Sequence, residues 1–183
     1  MKILRTVVIA FVAILGILIG VSFLLPRQVH VERTATVDAP ASAVYAVVNN
    51  LETWKEWTAW GPERDATINY KYSDPKSGKD AWFSWKSQEM GAGKLTITKS
   101  DPASGIDYEM RFDDYGTTSS GGVKLVAKGD KTEVTWSFDG DMGNSPPMRY
   151  MGLMMDRMLG PDFEKGLTGL EKQAAKPTAD ATK

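Results

Sequence analysis

Apolar and polar residues alternate along "VHVERTATV": Val29, Val31, Ala35 and Val37 fall on one side, His30, Glu32, Thr34 and Thr36 on the other. A period of two predicts a strand with one buried face. The pattern then changes. After Asp38 and Pro40, apolar residues recur at Val44, Val47, Val48 and Leu51, a 3-1-3 spacing that places them on one face of a helix. Proline at position 40 suits a helix start. The helical segment is expected to break near Asn49-Asn50, resume through Trp54 and Trp57, and end at Trp60-Gly61-Pro62.

From Thr67 to Asp141 the period of two returns six times, in "TINYKYS", "DAWFSWKSQ", "GKLTITKSD", "GIDYEMRFDD", "GGVKLVAKG" and "TEVTWSFDGD". The fourth alternates most strictly, with Ile106, Tyr108, Met110 and Phe112 against Asp107, Glu109, Arg111 and Asp113. The separators "MGAG", "DPASG", "DYGTTSSG" and "KGDK" are rich in Gly, Asp and Ser and read as short turns between antiparallel strands. Trp82 and Trp85 differ by three, so a regular strand turns only one of them inward.

The last periodic stretch, "SPPMRYMGLMMDRMLGPDFEKGLTGLEKQ", returns to helical spacing. Ser145 suits an N-cap and Pro146 a first helical position. Five of the nine methionines fall between positions 148 and 158. At about 100° per residue, Met148, Met155, Met151, Met158 and Met154 lie at about 0, 340, 300, 280 and 240°. They form one stripe, opposite Arg149, Asp156 and Arg157. Such a stripe is first of all a buried helix face. Methionine is also flexible and polarizable, so the same face could line an adaptable apolar pocket. A copper(I) site would want thioethers too. But the spacing is what any buried face requires, and the only histidine, His30, is far off in sequence, so the stripe is not evidence for metal. The helix is expected to run to Gly160-Pro161, where proline kinks or restarts it.

Ahead of all this, Val7 to Leu25 contains no charge. Nineteen helical residues at about 1.5 Å each come close to the roughly 30 Å hydrocarbon core of a bilayer. Lys2 and Arg5 precede the run, which orients the N-terminus inside and the remainder outside. A cleaved signal peptide is the competing reading; the run exceeds the usual length, and Pro26-Arg27 follows it without a small-x-small site. The expected organisation is a transmembrane signal-anchor over 1–26, one folded domain over 27–174, and a disordered tail over 175–183 of small and polar residues.

Composition narrows the function. All 23 acidic residues follow Pro26, and only Lys2 and Arg5 of the 22 basic ones precede it, so the part from Arg27 onward is net −3. Such a surface attracts neither nucleic acid nor anionic lipid by charge. The absence of cysteine removes disulfides, zinc-thiolate sites and thiol nucleophiles. There is no Ser-His-Asp set in plausible context, no HExxH, no P-loop and no GxGxxG, so no catalytic, cofactor or metal residue is assigned. Asp113-Asp114 and Asp139 with Asp141 read as solvated turn residues. Trp54, Trp57 and Trp60 read as aromatic packing that closes one end of the domain, with a membrane-interface belt as the alternative.

Several stretches carry a family likeness. "LPRQVHVERTATVDAPASAVYAVVNNLETWKEWTAW", "MGAGKLTI" and "MMDRMLGPDFEKGLTGLE" resemble the SRPBCC helix-grip superfamily, which includes START-type lipid-transfer domains and polyketide cyclases. The likeness is closest to bacterial polyketide cyclase/dehydrase-like members with an N-terminal anchor, and covers most of residues 26 to 172. It implies an α+β fold: a curved antiparallel sheet of about seven strands wrapped around a long C-terminal helix, with an apolar cavity between them. Its candidate lining is Leu95 and Ile97, Ile106, Tyr108, Met110 and Phe112, and Met151, Met155 and Met158. The expected partner is a hydrophobic small molecule or lipid, held beside the membrane. A cyclase or dehydrase, with Tyr108 and Arg111 as acid/base candidates, is the first alternative, although alternation points Arg111 outward. A non-catalytic protein-interaction module is the second. The superfamily shares no catalytic motif, and Gly91 and Gly93 are expected to serve a turn.

Overall fold

A computed structural model describes residues 1–114 and 116–176; most of the expected tail, from 177 to 183, lies outside the described residues. Helix α1 (Lys2–Ser22) leads to strand β1 (Gln28–Val37). Helix α2 (Ala41–Asn49), a single 3-10 turn over Leu51–Thr53 and the short α3 (Trp54–Trp57) follow, with the break where Asn49-Asn50 predicts it. Six strands come next: β2 (Asn69–Tyr72), β3 (Trp82–Lys86), β4 (Ala92–Asp101), β5 (Gly105–Phe112), β6 (Thr117–Lys128) and β7 (Lys131–Asp141). Helices α4 (Pro146–Gly152) and α5 (Met155–Ala174) are the last elements among the described residues.

The seven strands form one antiparallel sheet in the order β1-β7-β6-β5-β4-β3-β2. Its inner face and α5 share the core. Phe163, Gly166, Leu167 and Leu170 are buried on α5, at the 3-1-3 spacing that keeps one helix face on a sheet. The Phe163 ring stacks on Trp136 of β7 with centroids 4.2 Å apart and planes 4° from parallel. Gly166 lets that indole approach, since a Cβ there would meet Trp136 Cζ3 at 2.5 Å. This is the expected α+β helix-grip architecture.

Two elements depart from expectation. The Met-bearing helix is broken at Leu153-Met154 rather than at Gly160-Pro161, and α5 continues through Pro161. Gly152 ends α4, and glycine favours a helix end. Arg149 of α4 is buried and donates to the carbonyls of Gly143 and Leu25, each at 2.7 Å, which ties α4 to the segments before it. Strand β6 also begins at Thr117, inside the stretch that reads as a turn. Thr117 to Ser120 pair with Phe112 to Glu109, and their small side chains leave room on the inner face.

Arg33 clamps the other side of α5. Its guanidinium forms two hydrogen bonds with Asp156, at 2.8 and 3.1 Å, and one with Glu164 at 2.9 Å. These partners, Asp156 foremost, push its pKa further upward. It lies over Gly160, where any side chain would displace it.

Candidate functional site

The core does not fill the whole space between sheet and helix. Trp54, Trp57, Trp136 and Phe163 interlock, with Trp57 and Trp136 centroids 4.9 Å apart and Trp54 edge-on to Tyr108 at 5.7 Å. Beside this cluster, and bordered by Trp54 and Trp60, lies a cavity of about 410 Å³. Its walls are mostly apolar: Tyr70 and Tyr72 from β2, Phe83 and Trp85 from β3, Leu95 from β4, Met110 and Phe112 from β5, Phe138 from β7, and methionines from α4 and α5.

Of the nine candidate lining residues, six border this space: Leu95, Met110, Phe112, Met151, Met155 and Met158. Ile97, Ile106 and Tyr108 share the same inner face but sit in the solid part of the core, at most 2% exposed. Tyr108 is held there by its hydroxyl, which donates to the Ser137 carbonyl at 2.9 Å and accepts from Trp136 Nε1 at 3.0 Å. Burial raises its pKa. It does not border the cavity, and its proton is engaged with the Ser137 carbonyl. Arg111 is exposed on the outer face, as alternation predicts.

The methionine stripe is divided by the helix break. Met148 and Met151 on α4, and Met155 and Met158 on α5, border the cavity. Met154 sits at the break and is exposed. Met142, Leu159, Thr117 and Ser119 also border the space; the last two are hidden in sequence by the turn-like run "TTSS". Of Trp82 and Trp85 only Trp85 faces inward; Trp82 lies outside under Lys94, whose ammonium is 4.5 Å from the ring centroid. Gly93 belongs to β4 and not to a turn. It lies opposite Trp85 and Phe112, and its missing side chain makes room for the Trp85 indole. Gly91, at φ +64°, does serve the turn.

Polar groups gather at the mouth. Asp162 Oδ2 accepts from Trp60 Nε1 at 2.9 Å and from Arg64 Nη1 at 2.7 Å. The Tyr70 hydroxyl donates to the Trp60 carbonyl at 2.6 Å. Lys55, Glu89 and Asp114 complete the rim. Burial, reinforced by Glu52 and Glu56, pushes the Tyr72 phenol up to about 12, and burial raises Tyr70 as well. Both stay protonated at neutral pH. Among the described residues, no group of three His, Asp or Glu side chains could hold a metal ion.

Asp65 fixes the rim. It is 4% exposed and accepts from the Thr67 N–H and hydroxyl at 2.8 and 2.6 Å, from the Ser87 hydroxyl, and from the Glu89 N–H at 3.0 Å. It thereby ties the loop after α3 to the β3–β4 turn, and both border the mouth. These donors, Ser87 first, hold its carboxyl well below the usual range. A depressed carboxyl contributes stability above its unfolded value of about 3.9 and loses it as pH falls through the folded value. Asp65→Asn should therefore lower the urea midpoint at pH 7. The gap between wild type and variant should narrow as pH falls from about 5 towards 2. A gap that stays constant over that range would show that ionisation of Asp65 contributes nothing.

Residues 28–175 match the family described as polyketide cyclase / dehydrase and lipid transport. Among curated proteins no sequence matches this chain. Solved structures share the fold at low identity. Norcoclaurine synthase from Thalictrum flavum, in complex with dopamine and hydroxybenzaldehyde, is 12% identical with a TM-score of 0.61, over 84% of this chain and 90% of that one. Ara h 8.0201 is 17% identical with a TM-score of 0.52, over 80% and 95%. The di-domain ARO/CYC StfQ from the steffimycin biosynthetic pathway is 12% identical with a TM-score of 0.60, over 80% of this chain and 50% of that one.

Proposed function

Because the chain belongs to the polyketide cyclase / dehydrase and lipid transport family, we propose that it holds a hydrophobic small molecule or lipid in the cavity beside α5, at the surface of a membrane crossed by α1. The observation that carries this reading is the cavity itself. Its volume of about 410 Å³ falls within the roughly 300–1,000 Å³ of small-molecule sites. Its inner walls are aromatic rings and thioethers, while Arg64, Asp162 and Lys55 stand at the rim. That gradient fits an amphiphile with its apolar part inward and its polar end at the mouth. Methionine at seven wall positions favours tolerance of chain shape over a single rigid fit.

Helix α1 is long and apolar enough to cross a membrane. With Lys2 and Arg5 before it, the N-terminus stays inside and the domain stands on the outer side. Catalysis is not part of the proposal: Tyr108 is buried in the packed core and Arg111 is exposed on the outer face, so neither of the acid/base candidates borders the cavity.

Native mass spectrometry and solvent extraction test this reading on the chain from Arg27 onward, purified without detergent. A retained apolar molecule, or saturable uptake of an NBD-labelled fatty acid, is expected. A domain that retains nothing and takes up no probe would sink the proposal.

A further inference from the structure

The mouth of the cavity and the exit of the anchor lie at the same end of the sheet. The pairing register carries this. Gln28 at the start of β1 lies opposite Asp141 at the end of β7, and Gly140 lies opposite Ser119 near the start of β6. Thr117 lies opposite Phe112, Phe112 opposite Gly93, and Ala92 opposite Lys86. One row of strand ends thus leads from the anchor across to the β3–β4 turn. Met142, Thr117, Asp114 and Gly91 stand along that row, and all border the cavity.

Helix α4 is fastened to the anchor. Arg149 Nη1 donates to the Leu25 carbonyl, and the Tyr150 hydroxyl donates to the Leu18 carbonyl, both at 2.7 Å. Leu18 is seven residues before Leu25, about 10 Å back along a helix. A bilayer that surrounds α1 therefore reaches α4. The surface there matches. Beyond Leu24, the large apolar side chains exposed among the described residues are Val126, Leu153, Met154 and Met158. Three of these four sit at the α4–α5 elbow. From Met142 to Met155 the only charge is Arg149, and it is buried on backbone carbonyls. The inner side of the same elbow, Met148, Met151 and Met155, is cavity wall.

We propose that the α4–α5 elbow inserts into the leaflet on the domain's side and forms the port through which an acyl chain passes between bilayer and cavity. This rests on the binding and anchoring readings above, and adds which surface meets the lipid and by which route the cavity fills. An occupied elbow of this kind needs no basic patch, which agrees with the net charge of the domain. Insertion of apolar side chains by a few ångströms into the headgroup–acyl boundary is the mode of interfacial helices, here held in place by α1.

The chain has no cysteine, so single-cysteine labels report one site each. Nitroxides at Leu153→Cys, Met154→Cys and Val126→Cys are placed on the full chain in nanodiscs of phosphatidylcholine and phosphatidylglycerol. Labels at 153 and 154 should collide more with oxygen than with a water-soluble nickel chelate, and the label at 126 should do the reverse. In a second arm, an NBD-labelled fatty acid is offered from the nanodisc or from cyclodextrin. The double variant Leu153→Asp/Met154→Asp should load about tenfold more slowly from the nanodisc, given the cost of carrying charge towards the acyl region, and normally from cyclodextrin. Nickel-dominated collisions at 153 and 154, spin–spin broadening that marks a second copy of the chain on the elbow, or unchanged loading from the bilayer would each overturn the proposal. A wild type that takes up no probe by either route strikes down the binding reading and the port with it, while the labels still decide insertion.

Discussion

Phe163→Ala should destabilise the domain by about 3–5 kcal/mol, the usual cost of truncating a buried phenylalanine. Nothing lies ready to fill the space. Phe163 is fully buried, face to face with Trp136, and meets Trp60 edge-on at 5.9 Å. Trp136 cannot follow the receding side chain freely, since its Nε1 is bonded to Tyr108 Oη and its ring already lies against Gly166. The loss amounts to about a fifth or more of the roughly 5–15 kcal/mol that keeps a domain folded. Urea denaturation of the full chain in detergent micelles measures it. Met158→Ala is the control: the residue is half exposed at the elbow, and its loss should stay within about 1 kcal/mol. A Phe163→Ala cost as small as that of Met158→Ala would mean that Trp60 and Leu159 collapse into the gap and that the aromatic stack is not the keystone of the grip.

The contrast between these two positions also shows what the sequence could disclose. Phe163 and Met158 both belong to an apolar periodicity, and periodicity reports a face, not a depth. The same holds along β5. Alternation places Ile106, Tyr108, Met110 and Phe112 together, and the strand does turn all four inward. Which of them meet packed rings and which meet open space depends on Trp136 and Phe163, brought in from other elements. The helix break at Leu153-Met154 has only a weak local signal, Gly152 just before it, and the contacts of Arg149 with carbonyls at positions 25 and 143 cannot be read from periodicity. Pro161, the obvious breaker, removes a single backbone bond, and α5 runs through it. Arg33 could have been noticed: it interrupts the apolar side of β1, and a charge there needs a partner across the core, which Asp156 and Glu164 supply. Thr117 and Ser119 look like turn residues because small polar side chains suit turns and cavity walls equally well.

Two residues on one face of β5 test the boundary between packed core and cavity most sharply. Met110→Trp should weaken binding of an NBD-labelled fatty acid about a hundredfold, or about 2.8 kcal/mol at 1.4 kcal/mol per tenfold. Its stability should be unchanged or slightly improved. Met110 is buried at 6% exposure but borders the cavity, with the small Ser119 opposite it on β6 and Leu95 on β4. An indole there has open space to enter, so apolar surface is gained without displacing neighbours. Tyr108→Trp, two residues back on the same face, should do the reverse. Tyr108 does not border the cavity, and the missing hydroxyl leaves Trp136 Nε1 without its partner. Overpacking alone costs about 1–3 kcal/mol, and the orphaned buried N–H adds about as much. Fluorescence titration and urea unfolding of both variants separate the cases. Undiminished binding in a folded Met110→Trp protein would show that the fatty acid is held elsewhere. Equal stability of the two variants would show that the aromatic end of the core is looser than the interlocked rings of Trp54, Trp136 and Phe163 require.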